Sequence, residues 1–133
     1  MIRPKKSKVG PPPADCPLEE CLSFLAGEWT TKILWYLRLE PRRFGDLKRD
    51  LDGISAKVLT TRLRELENRG VLLRKVMPTS PPTVEYSLTS FGRKFEPVLE
   101  AIAEVGQELR KRSTQNLQRS ALKESALYIA GQA

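Results

Sequence analysis

A short segment after Gly53 combines a helix start signal with cationic and hydroxyl side chains at regular spacing. Ser55 is a good N-cap residue and Gly70 is a typical stop, so the spacing predicts one helix between them. Its apolar stripe consists of Leu59, Leu63 and Leu66. At 100° per residue, the opposite face and its flank carry Lys57, Thr60, Thr61 and Arg64. An arginine guanidinium donates two hydrogen bonds to guanine, and a threonine methyl packs against the thymine methyl. This face therefore suits base edges in the major groove of duplex DNA.

The composition excludes most catalytic chemistry. The chain of 133 residues has no histidine, the side chain most used for acid–base catalysis near neutral pH and for zinc binding. Its two cysteines, Cys16 and Cys21, are too few for a disulfide framework or a four-ligand metal site. We find no nucleophile–base pair and no phosphate-cradling glycine loop, and we therefore predict no enzymatic activity, no cofactor and no metal. The net charge of +7 favours a polyanionic partner instead.

The segments on either side of this helix predict how it is held. Before it, a short amphipathic helix stops at Asp52-Gly53, and its apolar residues are Phe44, Leu47 and Leu51. After it, residues 71–77 and 84–88 are β-branched-rich runs separated by a proline-rich tip, which predicts a β-hairpin. The predicted elements follow the order of a winged helix-turn-helix, which is a helix, a glycine-containing turn, a second helix and a hairpin. We therefore predict a mainly α fold with a small β-hairpin wing.

Cations concentrate around the predicted helix-turn-helix. Residues 38–75 hold eleven cations and six anions. Arg74 and Lys75 on the wing, and Arg43 before the preceding helix, are candidates for phosphate or minor-groove contacts. The alternatives are a solvated hairpin edge and an ordinary solvated helix face, and the order of elements and the charge placement favour DNA. The candidate DNA contacts are Arg43, Ser55, Lys57, Thr60, Thr61, Arg64, Arg74 and Lys75.

Two further helices are predicted nearer the N-terminus. Pro17 suits the first helical position of one, which continues to Gly27. The next, at residues 28–39, is apolar on nearly every side, which is typical of a helix packed between neighbours. Packing is the common role of its aromatic residues, but Trp35 faces away from the main stripe and is also a candidate dimer or ligand contact. The sequence identifies no small-molecule effector.

A seam of apolar side chains marks a long last helix, for which Thr89 is the predicted cap. Steps of four and three residues separate its members, which are Phe91, Phe95, Val98, Ile102, Val105 and Leu109. We predict that this heptad seam is the dimer interface, because a winged-helix core is too small to cover nearly three heptads. The alternative is a helix packed on its own core. Four glutamates in this stretch repel one another unless cations from elsewhere face them.

The chain divides into three predicted parts. Residues 1–14 form a disordered, basic and proline-rich arm, and residues 15–112 form the winged helix-turn-helix domain with its long C-terminal dimerisation helix. Residues 113–133 form a polar tail, whose structure the pattern leaves unassigned. No apolar run approaches the roughly 18 residues that cross a bilayer, and no secretory signal is visible. We therefore expect a cytoplasmic protein without a membrane partner.

Six short segments carry a recognisable pattern. They are Cys16-Pro17, Gly27-Glu28-Trp29 and residues 43–47, 53–60, 63–67 and 81–89. As a set they resemble the HxlR-type branch of the MarR-like winged-helix transcription factors. The resemblance implies a homodimeric regulator that binds a palindromic operator, with dimer contacts from terminal helices and, in several relatives, a sensing cysteine near the N-terminus. The chain departs from the pattern at Glu28, where relatives carry lysine, and at Glu40-Pro41-Arg42, where they carry glycine, but neither position lies in the predicted recognition helix.

The two cysteines have different predicted surroundings. Cys16 lies where a helix N-cap is expected, and free backbone N–H groups there stabilise a thiolate. Asp15 beside it opposes this effect. Cys21 falls on an apolar stripe and is predicted to be an inert core residue. The chemistry leaves the role of Cys16 open, and the resemblance supports it as a redox-sensor candidate.

Together these features predict a homodimeric, sequence-specific regulator of transcription, a repressor in preference to an activator. Its two recognition helices would enter successive major grooves of double-stranded DNA. One alternative is a nonspecific architectural DNA-binding protein, in which the arm and wing dominate binding. The other is a winged-helix protein-interaction module, which the basic charge balance disfavours.

Overall fold

The computed structural model describes residues 8–10 and 16–131. The elements in chain order are α1 (Pro17–Leu25), α2 (Thr30–Leu37), β1 (Arg42–Arg43), α3 (Phe44–Asp50), α4 (Ala56–Asn68), β2 (Leu72–Met77), β3 (Thr83–Leu88) and α5 (Phe95–Ala130). A short 3-10 helix, Gly92–Lys94, precedes α5. Of the predicted arm at residues 1–14, only residues 8–10 are described, and they form neither helix nor strand.

The three strands form one antiparallel sheet in the order β1-β3-β2. β2 and β3 make the predicted hairpin, with Leu72 opposite Leu88. β1 pairs with the other edge of β3, where Arg42 lies opposite Tyr86. The sequence did not predict β1, because two residues carry no strand periodicity. The mainly α fold with a hairpin wing is confirmed, and a third strand is added at its edge.

The turn between α3 and α4 has the predicted local geometry. Gly53 has a φ of 90°, in the left-handed region that favours glycine. Ser55 then caps α4, because its Oγ accepts a hydrogen bond from the Val58 N–H at 3.1 Å. Ile54 and Leu59 are both buried, at the two positions of a hydrophobic staple. Local chemistry therefore determines where α4 begins.

The end of α4 is equally well defined. Gly70 has a φ of 74°, and its N–H donates to the Glu67 carbonyl oxygen at 2.9 Å. The Val71 N–H donates to the Leu66 carbonyl oxygen, also at 2.9 Å. These two bonds and the left-handed glycine form a Schellman motif, which confirms the predicted stop at Gly70.

One hydroxyl group joins the end of α4, the wing and the segment that leads into α5. Thr89 Oγ1 donates to the Gly70 carbonyl oxygen at 2.5 Å and accepts from the Gly92 N–H at 3.0 Å. A Cβ on Gly92 would lie 2.2 Å from the carbonyl oxygen of Val71, so only glycine allows this close approach. Thr89 was predicted to cap the last helix itself. Its hydroxyl instead accepts from Gly92 at the start of the 3-10 helix, and the residue that directly precedes α5 is Lys94.

The hydrophobic core lies among α2, α3, α4 and the sheet. Its most deeply buried side chains are Ile33, Leu34, Leu47, Leu51, Leu59, Leu63 and Val71. The predicted apolar stripe of α4 is thus confirmed, since Leu66 is buried as well. With this side of α4 in the core, its opposite side faces solvent.

The last helix differs from its prediction at both ends. α5 begins at Phe95 and continues to Ala130, far beyond residue 112, so most of the unassigned tail is helical. Phe95 is only 8% exposed and packs against Phe24, with 5.2 Å between the ring centroids. It belongs to the core of one chain and offers little surface to a second copy. The heptad spacing identified the helix but did not distinguish core positions near its start from open positions farther along.

Candidate nucleic-acid interface

The predicted polar face of α4 is open to solvent. Lys57, Thr61 and Arg64 are exposed, and Thr60 is half-buried. Thr60 Oγ1 donates to the Ala56 carbonyl oxygen at 2.7 Å, and Thr61 Oγ1 donates to the Lys57 carbonyl oxygen at 3.0 Å. Because both hydroxyl protons are used within the helix, the threonines offer methyl groups and acceptor oxygens to a partner.

A hollow of about 390 Å³ lies between α4 and the sheet. We call it the α4–sheet hollow. Thr60 and Arg64 line it from α4, and Arg74 and Tyr86 line it from β2 and β3. Glu67 also lines it, so both signs of charge are present. Two arginines from different elements therefore share one space, which no spacing in the sequence reveals.

The sheet register separates the wing cations that the sequence grouped together. Directly paired residues on neighbouring strands share a face, and successive residues alternate between faces. One row across the three strands holds Arg42, Tyr86 and Arg74, and the next row holds Arg43, Glu85 and Lys75. Arg74 and Tyr86 face the α4–sheet hollow. Lys75 and Arg43 consequently lie on the other face, on either side of Glu85.

The predicted contact cations are not used in internal ion pairs. Among the residues that the structure describes, no salt bridge involves Arg43, Lys57, Arg64, Arg74 or Lys75. By contrast, Arg62 lies 3.0 Å from Glu65 and Arg49 lies 2.5 Å from Asp46. Cations without internal partners bind phosphates without first breaking an ion pair.

Arg42 positions the helix-turn-helix and was not singled out by the sequence analysis. Its Nη2 donates to Asp50 at the end of α3, and its Nη1 donates to Glu40 at 3.4 Å. The hydrogen bond from its guanidinium to Asp50 is the main cause that raises the pKa of Arg42 above its ordinary value. The pair joins β1 to the last turn of α3. Spacing rules missed it because the two residues are eight positions apart and belong to different elements.

A larger cavity, of about 460 Å³, lies between α2, the turn that follows α3, and α5. Trp29, Trp35 and Tyr36 form its aromatic wall, and Ile102 of α5 also lines it. The Arg38 guanidinium lies 3.6 Å from the centroid of the Trp35 ring and covers part of it. Trp35 is therefore half-buried, and its role as a dimer or ligand contact stays a prediction.

Cys16 and Cys21 are half-buried and unbridged. Cys16 occupies the N-cap position of α1, as predicted, and its side chain makes no capping hydrogen bond. Glu19 and Glu20 lie in the first turn of α1. Cys21 packs against the hydrophobic core, in agreement with its predicted place on an apolar stripe. The redox role of Cys16 stays a prediction.

Residues 8–10 and 16–131 contain neither a metal-binding cluster nor a membrane-spanning helix. No group of three or more cysteine, aspartate or glutamate side chains in these ranges is placed to hold a metal ion. None of the helices found there combines the length and the apolar character that spanning a bilayer requires.

The fold and this surface define a winged helix-turn-helix protein of the DNA-binding type. A capped second helix has a bare polar face, a glycine turn precedes it, and a hairpin lies beside it. Residues 24–114 match the model of the HxlR-like helix-turn-helix family. The chain belongs to this family, which confirms the resemblance seen in the six sequence segments.

Similar proteins are transcriptional regulators. The HTH-type transcriptional regulator sll1512 of Synechocystis is 43% identical over 93 residues, which are 70% of this chain and 69% of that protein. A MarR-family structure from Porphyromonas gingivalis W83 has a TM-score of 0.68 at 37% identity, over 77% of this chain and 98% of its own. The structure of the redox regulator HypR in its oxidized form has a TM-score of 0.65 at 38% identity, and the match covers 70% of this chain and 96% of the HypR chain.

Proposed function

We propose that the protein is a cytoplasmic transcriptional repressor that binds a palindromic operator in double-stranded DNA as a homodimer. The observation that carries the proposal is the outer face of α4. This face is exposed, and its cations Lys57 and Arg64 have no salt bridge within residues 8–10 and 16–131. The opposite side of the same helix is buried in the core.

α4 is the recognition helix in this proposal. A major groove about 12 Å wide admits one helix, and the 13 residues of α4 present one polar side to it. In this proposal Arg64 donates two hydrogen bonds to a guanine, and the Thr61 methyl contacts a thymine. Lys57, one turn closer to the start of α4, reaches toward a base or a phosphate.

The remaining contacts orient α4 on the duplex. Arg74 shares the α4–sheet hollow with Arg64, so it lies beside the groove that α4 enters. Ser55 Oγ accepts from the Val58 N–H and keeps its own proton to donate to a phosphate at the start of α4. Arg43 and Lys75, on the other face of the sheet, are assigned to phosphates that flank the site.

A homodimer is supported by apolar surface on α1 and α5. On α5, exposed fractions between 38% and 62% belong to Val98, Ile102, Val105 and Leu109. Leu18 and Leu22 of α1, and Phe91 before α5, are exposed as well. Large apolar patches of this kind mark interaction surfaces. Two copies joined there would present two α4 helices to successive major grooves, about 34 Å apart.

Selection of binding sites from a random duplex pool tests the function. We expect an enriched palindrome, and we expect Arg64→Ala to lose the enrichment while it remains folded. A reporter gene under that palindrome should be silenced by the wild-type chain. If random duplex competes as well as the selected site, the protein is a nonspecific architectural binder. If no duplex is bound, the interaction-module alternative replaces both.

Regulation through Cys16 is a further part of the proposal. Cys16 lies at the start of α1 with an unbridged thiol, and a structural relative is the redox regulator HypR. We expect mild peroxide or a quinone to change operator affinity in the wild-type chain and in Cys21→Ser, but not in Cys16→Ser. Gel-shift titrations before and after oxidation measure this change. Equal responses in all three chains would contradict the role of Cys16.

A further inference from the structure

The cavity between α2, the turn after α3, and α5 is large enough for a small molecule. Its volume of about 460 Å³ lies within the range of ligand pockets, roughly 300–1,000 Å³. The chain has two tryptophans, Trp29 and Trp35, and both line this cavity. Tyr36, Leu99 and Ile102 add further apolar surface. Three separate elements therefore enclose one mostly aromatic space.

The backbone of Trp29 has an unusual conformation. At the N-cap of α2 its φ is 75° and its ψ is −19°, in the left-handed region. No other non-glycine residue in the described part of the chain has a positive φ. Such a conformation costs free energy, and residues of this kind cluster at ligand sites. The ring of Trp29 also packs against the hydrophobic core, so the indole is fixed at the cavity wall before any ligand binds.

Cations of the chain itself lie over both indole rings. The Lys32 Nζ is 5.0 Å from the centroid of the Trp29 ring, and the Arg38 guanidinium is 3.6 Å from that of Trp35. The face of an indole attracts cations because its π electrons make it negative. Lys32 is exposed and forms no salt bridge with any described residue, so its flexible side chain can leave Trp29 for solvent. The aromatic wall is therefore a surface that binds cations.

Carboxylates line the cavity from the end of α3 and the turn that follows it. They belong to Asp50 and Asp52, and Lys32 is the one cation among the lining residues. Asp50 is engaged by Arg42, whereas Asp52 is exposed and has no salt bridge within residues 8–10 and 16–131. The charge that the cavity offers is thus opposite in sign to the net +7 of the chain.

We propose that this cavity binds an organic cation with a flat apolar group, and that its occupation changes operator affinity. The cationic group of the ligand takes the place of the Lys32 ammonium over Trp29 and interacts with the carboxylate of Asp52. The flat group packs against Leu99 and Ile102. The regulatory half of this inference rests on the proposed function, and the binding half does not.

The position of the cavity connects it to the recognition helix. Leu51 and Asp52 line it and directly precede Gly53, which begins the turn to α4. The Ile54 N–H donates to the Leu51 carbonyl oxygen at 3.1 Å, and Ser55 then caps α4. An occupant contacts this turn and α5 at the same time, so it changes the direction of α4 relative to α5. By linkage, the operator must change the affinity for the ligand by the same factor.

Tryptophan fluorescence of the full-length chain tests binding directly, because both tryptophans line the cavity. The probe is benzyltrimethylammonium, which joins a quaternary ammonium to a flat ring. We expect a saturable change in emission with this probe. Phenylacetate, which has a similar ring and a negative charge, should give no saturable change over the same concentrations. Absence of a saturable change with the cation, or equal or tighter binding of phenylacetate, would overturn the proposal.

Two substitutions with opposite expected effects supply an independent test. Asp52→Asn should weaken binding of benzyltrimethylammonium several-fold, and Lys32→Gln should strengthen it, because the ammonium of Lys32 competes for Trp29. Both residues are exposed, so the variants should fold. The controls Glu19→Gln and Lys123→Gln remove the same charges outside the cavity and should leave the affinity unchanged. If each variant behaves like its control, net charge alone is responsible and the assignment of the cavity fails.

Operator binding separates this inference from the proposed function. In gel shifts with the wild-type chain, saturating benzyltrimethylammonium should change operator affinity several-fold. Tetramethylammonium at the same concentration controls for ionic strength and should have a smaller effect. A chain that binds the probe and the operator independently overturns the regulatory half and leaves both binding functions intact. A chain that binds the operator but not the probe overturns the inference alone. A chain that binds the probe but no duplex supports the cavity and contradicts the regulator.

Discussion

The outer face of α4 and the exposed length of α5 are both charged, but their charges are arranged differently. Around α4, the candidate contact cations have no salt bridge to any other residue that the structure describes, and two threonine hydroxyls donate to backbone carbonyl oxygens of the helix. Along α5, acidic and basic blocks follow each other beside an apolar stripe. Unpaired cations suit a polyanion, whereas an exposed apolar stripe suits burial against another protein surface.

Disrupting the apolar stripe of α5 should have the largest effect. Ile102→Asp with Val105→Asp adds two carboxylates to exposed positions, so the single chain should still fold. Loss of the dimer removes simultaneous binding of two half-sites, and we expect operator affinity to fall about 100-fold or more. Sedimentation and gel-shift titration measure the two effects.

Leu39→Asp is the control for adding a carboxylate at an exposed leucine, because Leu39 is exposed and lies outside α5. It should change neither self-association nor operator binding. An unaltered dimer in the α5 variant would show that the stripe is not the interface.

Removing one base contact from α4 should have a smaller and more selective effect. Arg64→Ala should weaken binding to the preferred operator by about 1–3 kcal/mol and relax base preference, because the two hydrogen bonds from the Arg64 guanidinium to guanine are lost. Arg43→Ala should weaken all sequences alike and lower the salt dependence, because it contacts phosphate. The two variants are compared by measuring their affinities for the operator and for altered duplexes at several salt concentrations. Identical behaviour of the two variants would contradict both roles.

The cap of α4 should contribute least to binding and most clearly to folding. Ser55→Ala removes the acceptor for the Val58 N–H and should lower the free energy of unfolding by about 1 kcal/mol. Ser55→Asp keeps an acceptor at the cap, so it should retain stability and yet weaken DNA binding by repelling phosphate. Denaturant unfolding and gel shifts separate the two properties. Full stability in Ser55→Ala would show that the cap is dispensable.

Much of the α4 region was predictable because its signals are local. The hydroxyl of Ser55, the staple formed by Ile54 and Leu59, and the left-handed Gly70 each act within a few residues of α4. The Arg42–Asp50 pair and strand β1 were not predictable in this way. They depend on β3 and α3 being brought beside residues that carry no periodic pattern of their own.

The α5 region shows where periodicity is insufficient. Phe95 and Val98 belong to one heptad seam, but Phe95 is buried against Phe24, whereas Val98 remains exposed. The packing of α1 against the start of α5 makes this difference. The helical state of residues 113–130 was also left open, because weak amphipathicity does not separate a helix from a coil.

The amino-acid sequence by itself determined the order of the elements, the start and end of α4, and the side chains on its polar face, because these follow from helix geometry and local hydrogen bonding. Only the tertiary structure decided that Arg74 joins Arg64 in the α4–sheet hollow and that Lys75 lies on the opposite face. The tertiary structure also decided which side chains of the α5 heptad seam remain exposed to solvent. Those outcomes depend on which distant surfaces pack together, and that packing brings into contact residues that are remote in the chain.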